Sequence, residues 1–567
     1  MDEELKKSIR KYALDNARRY NGVPNMGSVI GKILSERPDL KTDLKKLSPE
    51  IKKVCDEIRL MSVKEQVAEL EKTAPDLLID KHGPEERKLK PLPDMQKGNV
   101  IMRIAPSPSG PMHIGHAIVF SLSSLYCKEF NGKLILRIED TNPEKIYAPA
   151  YKMDEEDAQW FTDNGISQMF LQSDRLETYY DYAEKLISKG KAYVCTCSGD
   201  LFRNFSLKKL PCPCRDLPIK EHLLRWDKMF VEYEPGAAVV RIKTDINDPN
   251  PAMRDWPALR INHNMHPKKG NKYKVWPLMN FAVAIDDHDY NITHTIRGKD
   301  HVDNAKRQKH IFDFFGWKVP HHAYIGKINF EGMEISKTKV KKAIELGEYD
   351  DWDDIRLPFL AGMRRRGFQP GAFQKFALDM GVGLNDKTVP AEDFLKSLEA
   401  HNRNIIDPIA NRYFFVWDPV KISVKNAPEQ TISIPLHPDF PDRGNRTFQT
   451  NADFYVSSSD SALIKAKKLY RLKDCLNFMK DNKDYLFESK EYEKFRGIGE
   501  ATIHWLPVSA DNVEVEVLMP DKKLRKGLGE AGLKDLEIGT IVQLERFGFC
   551  RLDSKSKNKV SFWFTHK

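Results

Sequence analysis

The chain has 567 residues, with 91 Lys or Arg against 82 Asp or Glu and a net charge of +9; so long a chain exceeds one hydrophobic core and predicts about three to five domains. The mild basic excess suits a polyanionic partner without demanding one, because an ordinary solvated surface carries the same balance. No run of about 18 apolar residues occurs, the first ten residues are charged, and eight cysteines are too few for a disulfide scaffold, which leaves no support for a membrane span, a signal peptide or a secreted framework and makes the cytoplasm the expected compartment.

From about residue 4 to 78, apolar residues recur at spacings of three and four, as in Val54, Ile58, Met61 and again Val67, Leu70. This predicts a small helical domain over 1–80, punctuated only by "NGVPNMG" at 21–27 and by Pro38. The stretch "DKHGPEERKLKPLPDMQKGN" at 80–99 carries three prolines, two glycines and many charges; it reads as an interdomain linker over 81–99. After it, "VIMRIA" predicts a short buried strand, a proline-rich stretch a loop, "HIGHAIVFSLSSLYCKEF" a helix and "KLILRIED" the next strand, together a right-handed crossover unit of a parallel α/β sheet. Beyond about Asn411, alternating runs around turn residues predict antiparallel hairpins and small barrels, with "NRYFFVWDPV" at 411–420 as the entrance to the first.

The loop "RIAPSPSGPMHIGHA" at 103–117 follows the first strand and opens the first helix of that unit. In an open parallel sheet ligands bind beyond the carboxyl ends of the strands, and free N–H groups at a following helix N-terminus attract phosphate. His113 and His116 open the helix on one face, and Gly115 between them leaves room for a base or ribose. Imidazoles can donate to phosphate oxygens as charge builds in nucleotidyl transfer, acting by position and electrostatics rather than covalently. The four residues alone could equally be a chance surface pair or half of a metal site; their placement after a strand and a rigid loop favours a nucleotide.

At this position "HIGH" resembles the first signature of the class I aminoacyl-tRNA synthetases. The core of "MEISKTKV" at 333–340, Ile335-Ser336-Lys337-Thr338, resembles their second, KMSKS, with Glu334 departing from the usual first lysine. "RIAPSPSG", "LRIEDTNPE", "WPLMNFAVAIDDHDYNITHTIRGKDH" and "WDDIRLPFLAGMRRRGFQP" resemble the glutamyl/glutaminyl branch, and the likeness runs from about Gly98 to the end of the chain. The helical start and barrel-like end are similar to the archaeal and eukaryotic form of the glutamyl enzymes.

The resemblance implies a multidomain α/β and β architecture. A Rossmann-type catalytic domain is split into 100–192 and 277–345 by an acceptor-stem-binding insertion at 193–276. A helical connecting subdomain at 346–405 and anticodon-binding β-barrels at 406–567 follow. It implies catalytic roles for His113, His116 and Lys337, and contacts to ATP, delivered with Mg²⁺, from Pro106, Gly115, Ser336 and those three. For the amino acid it implies Arg103, Ser107, Glu139 near the ammonium group, and Arg297 on the side-chain carboxylate, where glutaminyl relatives usually have cysteine. Met279 stands where many relatives carry a substrate-facing tyrosine. Arg364, Arg365 and Arg366 are expected on tRNA phosphates, although a solvated helix end would read the same. The implied activity is ATP-dependent attachment of glutamate to tRNA(Glu), with tRNA(Gln) admitted as a second acceptor. The N-terminal helices are open to contact with tRNA or a partner protein.

Cys195 and Cys197 are followed after fourteen residues by Cys212 and Cys214. Four thiolates suit a closed, structural zinc site that pins a small loop. Free buried thiols, or a scaffold that has kept its fold without metal, are the alternatives.

Overall fold

In this computed structural model the described residues are 3–19, 22–37, 39–40, 44–77 and 88–567, and the chain divides into two compact units, Met1–Lys88 and Leu89–Lys567. Pro38, residues 78–80 at the end of the expected helical domain and residues 81–87 of the expected linker lie outside the described residues.

The first unit contains the helices Glu3–Arg19, Met26–Glu36, Leu44–Arg59 and Val63–Thr73. Their stripes meet in a core that includes Ile9, Leu14, Ile33, Ile51, Ile58 and Leu70. Asn25 caps the second helix by accepting the Ser28 N–H at 3.0 Å, and Ser62 and Glu65 form a reciprocal capping box on the fourth. The fully buried Gln66 is held by its amide, which donates to the carbonyls of Gly22, Ile58 and Met61 at 2.9–3.2 Å.

In the second unit the strands Ile101–Ile104, Lys133–Ile138 and Ile166–Leu171 pair in parallel in that order. His294–Gly298 and His321–Ile325 form a second parallel pair. Thr293 joins the two: its N–H donates to the Ile101 carbonyl at 2.9 Å and its hydroxyl oxygen accepts the Ile101 N–H at 2.9 Å. The order therefore reverses beside Ile101–Ile104, which places a ligand crevice beyond Ile104 and Gly298. Helices Ile114–Glu129 and Ala150–Thr162 make the crossovers. Lys133–Ile138 is buried after its first residue, which is why it reads as an almost unbroken apolar run.

Between the two parallel halves lies an antiparallel sheet of Ala192–Cys195, Val239–Ile242, Pro257–Ile261 and Val275–Pro277, with helices Gly199–Leu207 and Ile219–Val231. The expectation of a free linker fails at its second half. Leu89, Leu92 and Met95 pack on the main core, and the Lys90 carbonyl accepts the Tyr126 hydroxyl at 2.7 Å. Apolar residues three apart tie this otherwise polar segment down.

The chain ends in two seven-stranded sheets. The segment expected to enter the first barrel is divided otherwise: Asn411–Tyr413 and Phe415–Trp417 are strands of the last sheet, paired with Ile541–Leu544 and Leu524–Gly529, and the first barrel begins only at Pro419–Lys425. The cause is strand periodicity. Tyr413 and Phe415 enter one barrel's core while Phe414 and Val416 enter the other's, so a run lying between two cores is apolar on both faces. Among the described residues no helix is long and apolar enough to cross a membrane.

The barrels are tied by a buried ion cluster. Arg446 donates to Glu530 at 2.5 Å and also to Glu545, which Lys473 reaches from the partly exposed side. Arg446, Glu530 and Glu545 are each more than nine-tenths buried. Removing one member leaves an uncompensated buried charge. Arg446→Met is expected to cost about 3–5 kcal/mol, read as a lowered thermal transition of the full chain by calorimetry; an unchanged transition would show that the cluster does not hold the barrels together.

Candidate active site

His113 is the N-cap of the helix Ile114–Glu129, in extended backbone, and its Nδ1 accepts the Gly115 N–H at 3.1 Å. His116 Nδ1 accepts the His113 N–H at 3.2 Å. Both imidazoles thus carry their proton on Nε2 and keep that donor for something outside the helix. Their ring centroids are 4.0 Å apart. A side chain at Gly115 would place its Cβ 3.0 Å from the His113 ring, so glycine is needed for the ring to fold back as a cap. Burial, joined by the Lys337 charge, lowers His113 to about 3, and burial together with His113 and Lys337 holds His116 well below the usual range.

This changes one expectation. The first helical N–H groups are already taken: Ile114 donates to the Pro358 carbonyl at 3.1 Å, Gly115 to His113, and His116 and Ala117 to the His113 carbonyl. The donors left at this helix end are the two imidazole Nε2–H groups, which the backbone aims.

Lys337 is the first residue of the helix Lys337–Glu345, behind Ser336 as N-cap. Its ammonium reaches across 227 residues of chain to donate to the Gly110 carbonyl at 2.6 Å, with the Ser107 carbonyl at 3.4 Å. The second motif therefore closes on the first. Glu334 has a role of its own: it accepts the Ser336 N–H at 2.8 Å and the Lys339 ammonium at 3.1 Å, bracing the turn. Pro106 accepts the Glu139 N–H at 2.9 Å, which joins the loop to the end of the second strand.

Beyond Ile104 and Gly298 lies a cluster of charges. Arg103 donates through Nε and Nη2 to Asp287 at 3.0 and 3.4 Å. Arg137, 1% exposed, donates to the same carboxylate at 2.7 Å and to Glu139 at 2.9 Å. Burial opposes ionisation of Asp287, but the two guanidiniums outweigh it and hold the carboxyl well below its usual range. Arg297 is 6% exposed and donates to the amide oxygen of Gln308 at 2.8 Å; Gln308 donates in turn to Asn280. Among the described residues no carboxylate forms an ion pair with Arg297. Burial and the nearby Arg103 bring it down to about 10. Met279 opens the helix that carries Asp287 and is only partly buried, and Ser107 is exposed on the loop.

Arg137, Asp287, Gln308 and Asn280 were not singled out from sequence. A signal existed for two of them: Arg137 inside "LILRI" and the acids after "FAVAI" are charges in apolar runs, which must be paired when buried.

The arginine triplet is corrected at two positions. Arg366 is buried against the last strand and donates to the Thr565 carbonyl at 2.9 Å. Arg365 pairs with Asp553 at 2.7 Å and Asp353 at 2.8 Å and lies over the Trp563 ring. Both are spent on joining the helix Leu360–Arg366 to the last barrel. Arg364, one-third exposed beside Glu156 at 3.8 Å, keeps a free face.

The four cysteines converge. Cys195 and Cys212 sulfurs are 3.9 Å apart, as are those of Cys197 and Cys214, and the ligand atoms of Cys195, Cys197 and Cys212 all lie within 4.8 Å of one another. Sulfurs about 2.3 Å from a tetrahedral zinc would be spaced about 3.8 Å apart, a spacing that the group of three approaches, while Cys214 stands apart from that group and meets it through Cys197.

Residues 99–408 match the family described as "tRNA synthetases class I (E and Q), catalytic domain". Residues 410–490 and 502–553 match two anti-codon binding domains of the same class. Proteins called "Glutamate--tRNA ligase" from Thermococcus kodakarensis and Pyrococcus furiosus are each 44% identical to this chain, over 582 and 583 residues, and one from Methanobrevibacter smithii is 42% identical over 568; each alignment covers 100% of both chains.

The lowered histidines set a pH dependence. An unfolded imidazole takes up a proton near 6.5, whereas His113 does so only at about 3. The unfolded state then binds more protons, so stability falls as pH drops from about 6.5 toward 3. Histidine-selective carbon-13 NMR should show both ring signals unshifted from about pH 8 to 5; titration of either near 6.5 would contradict the neutral Nε2–H assignment.

Proposed function

This chain belongs to the class I tRNA synthetases (E and Q), and from that membership we propose that it attaches L-glutamate to tRNA(Glu) at the site described. The observation that carries the choice of amino acid is Arg297, a buried guanidinium with an amide partner and, among the described residues, no carboxylate in an ion pair with it. A side-chain carboxylate would complete it by charge-assisted hydrogen bonds, whereas the amide of glutamine would leave the charge buried and unpaired.

ATP enters as its Mg²⁺ complex. In the first step the glutamate α-carboxylate attacks the α-phosphorus, forming glutamyl-adenylate and releasing pyrophosphate. The Nε2–H groups of His113 and His116 and the Lys337 ammonium donate to oxygens on which charge accumulates, and contacts strengthened only then lower the barrier. Neutral imidazoles are suited to this, since they donate without having to shed a proton. Pro106, Gly115 and Ser336 border the nucleotide. Glu139 receives the substrate ammonium group; Arg103, Ser107 and Met279 border the pocket. In the second step the 2′-hydroxyl of the terminal tRNA adenosine attacks the activated carbonyl, with no covalent enzyme intermediate.

The insertion around Ala192–Pro277 holds the acceptor end, and the barrels read the anticodon, where unstacked bases meet aromatic and polar side chains. Arg364 is the member of its triplet left for a tRNA phosphate. Cys195, Cys197, Cys212 and Cys214 hold a structural zinc, which when bound would pin the loop between the two pairs; no chemical step passes through it.

Aminoacylation with labelled glutamate and glutamine, each with purified tRNA(Glu) and tRNA(Gln), tests the reading. Glutamate on tRNA(Glu) is expected, with Arg297→Ala raising the KM for glutamate about 100-fold or more, as for loss of one partner of a buried charge pair. Added glutamylation of tRNA(Gln) would make the enzyme non-discriminating; glutamine charging by the wild type would overturn the assignment of Arg297. Elemental analysis of the purified chain should find one zinc, lost together with thermal stability in Cys212→Ser.

A further inference from the structure

Arg297 is held in place by an amide, and that amide is held in turn by two more. Arg297 donates to Gln308 Oε1 at 2.8 Å, Gln308 Nε2 to Asn280 Oδ1 at 3.1 Å, and Asn280 Nδ2 to Asn304 Oδ1 at 3.1 Å. Gln308 is 1% exposed and Asn280 is buried. Gln308 and Asn304 lie one turn apart on the helix Val302–Phe315, and therefore on one face. Asn280 lies two turns before Asp287 on the helix Met279–Asp289, so the face that grips Arg103 and Arg137 also grips Gln308.

Both ends of this chain of amides set its polarity. A guanidinium has donors only, so Gln308 must turn its oxygen to Arg297 and its NH2 to Asn280. At the far end Arg307 Nη1 donates to the same Asn304 oxygen at 3.2 Å, while its Nε is fixed on the Ala252 carbonyl at 2.7 Å. Asn304 is left with its NH2 for His301 Nδ1, 3.0 Å away, which accepts and ends the chain. Turning over any one of the three amides would set donor against donor, so the oxygen that faces Arg297 is locked.

We propose that Gln308 is a positioning residue that sets the choice of amino acid: its locked amide oxygen fixes the direction of the Arg297 guanidinium without neutralising it, and so reserves the charge for the side-chain carboxylate of the substrate. The inference rests on the reading of Arg297 as the group that binds that carboxylate. An acid at position 308 would also fix the guanidinium, by a stronger contact, but would cancel its charge before glutamate arrived. An apolar residue there would leave a buried N–H without an acceptor and the guanidinium free to turn. A neutral acceptor meets both requirements, and Asn280 and Asn304 keep the group that faces Arg297 an oxygen.

Aminoacylation of tRNA(Glu) by the full chain is to be followed against glutamate and against ATP, for wild type, Arg297→Ala, Gln308→Glu, Gln308→Met and the double variant Arg297→Ala with Gln308→Met. Arg297→Ala tests the premise: an unchanged kcat/KM for glutamate would overturn the reading of Arg297 and the proposal with it. Given a loss there, Gln308→Glu should lower kcat/KM for glutamate about 100-fold, as removal of the free charge does, and Gln308→Met about 10-fold, as loss of a hydrogen bond to a charged group does. Both losses should appear in the KM for glutamate, with kcat and the KM for ATP in place. Gln308→Met buries no new charge, so it decides the matter if the acidic variant does not fold, as judged by circular dichroism. In the double variant the methionine should add nothing to the loss from Arg297→Ala, because its effect passes through the guanidinium. A further loss of about 10-fold there, wild-type kcat/KM in either Gln308 variant, a larger loss with methionine than with the acid, or a fall in kcat with the KM for glutamate unmoved would each overturn the proposal.

Discussion

The grip of Arg103 and Arg137 on the carboxylate of Asp287 organises the amino-acid end of the site. It joins the first strand, the second strand and the helix Met279–Asp289 at one buried point. An isolated carboxylate there would cost several kcal/mol, and pairing with two guanidiniums reverses the balance. The consequence extends to function. Arg103 and Arg137 both face Asp287, and Arg137 also faces Glu139 and, at 4.0 Å, Asp286, whereas Arg297 forms no ion pair among the described residues. A side-chain carboxylate would give Arg297 the ion pair it lacks among the described residues; the amide of glutamine would not.

Much of this was legible in the sequence because each signal was local. The rigid loop between a buried strand and a helix marked the nucleotide end, and the two histidines had to share a face. What could not be read was which atoms of those residues were free. The donors of the helix end are consumed by His113 itself and by Pro358, a partner 244 residues further on, and that contact depends on the folding of the intervening chain. The same holds for Arg365 and Arg366. A triple-arginine helix end looks like a phosphate contact when its neighbours in space are unknown, and the carbonyls and carboxylate that occupy two of the three come from the last strands of the chain. The run "YFFV" misled for a related reason: period-two alternation is visible only when one face is wet, and here both faces are core.

Those spent arginines explain how the far domain is held to the site. Helix Leu360–Arg366 has seven residues. At its start Phe359 forms an antiparallel bridge with His113, and the Leu360 N–H donates to the Met112 carbonyl at 3.0 Å. At its end Arg366 and Arg365 are fixed to the last barrel, and Gly367, at φ +100°, turns the chain where a Cβ would lie 2.9 Å from the Thr565 hydroxyl. Seven helical residues make about two turns and rise only about 10 Å, so one short rigid element connects the last barrel to the backbone that aims the His113 and His116 imidazoles. A packed helix with charged pairs at one end and backbone hydrogen bonds at the other does not absorb displacement by bending. The end at Asp553 is held by a bidentate, charge-assisted contact and the end at His113 by backbone hydrogen bonds, so one short helix fixes the last barrel to the N-cap of the first motif.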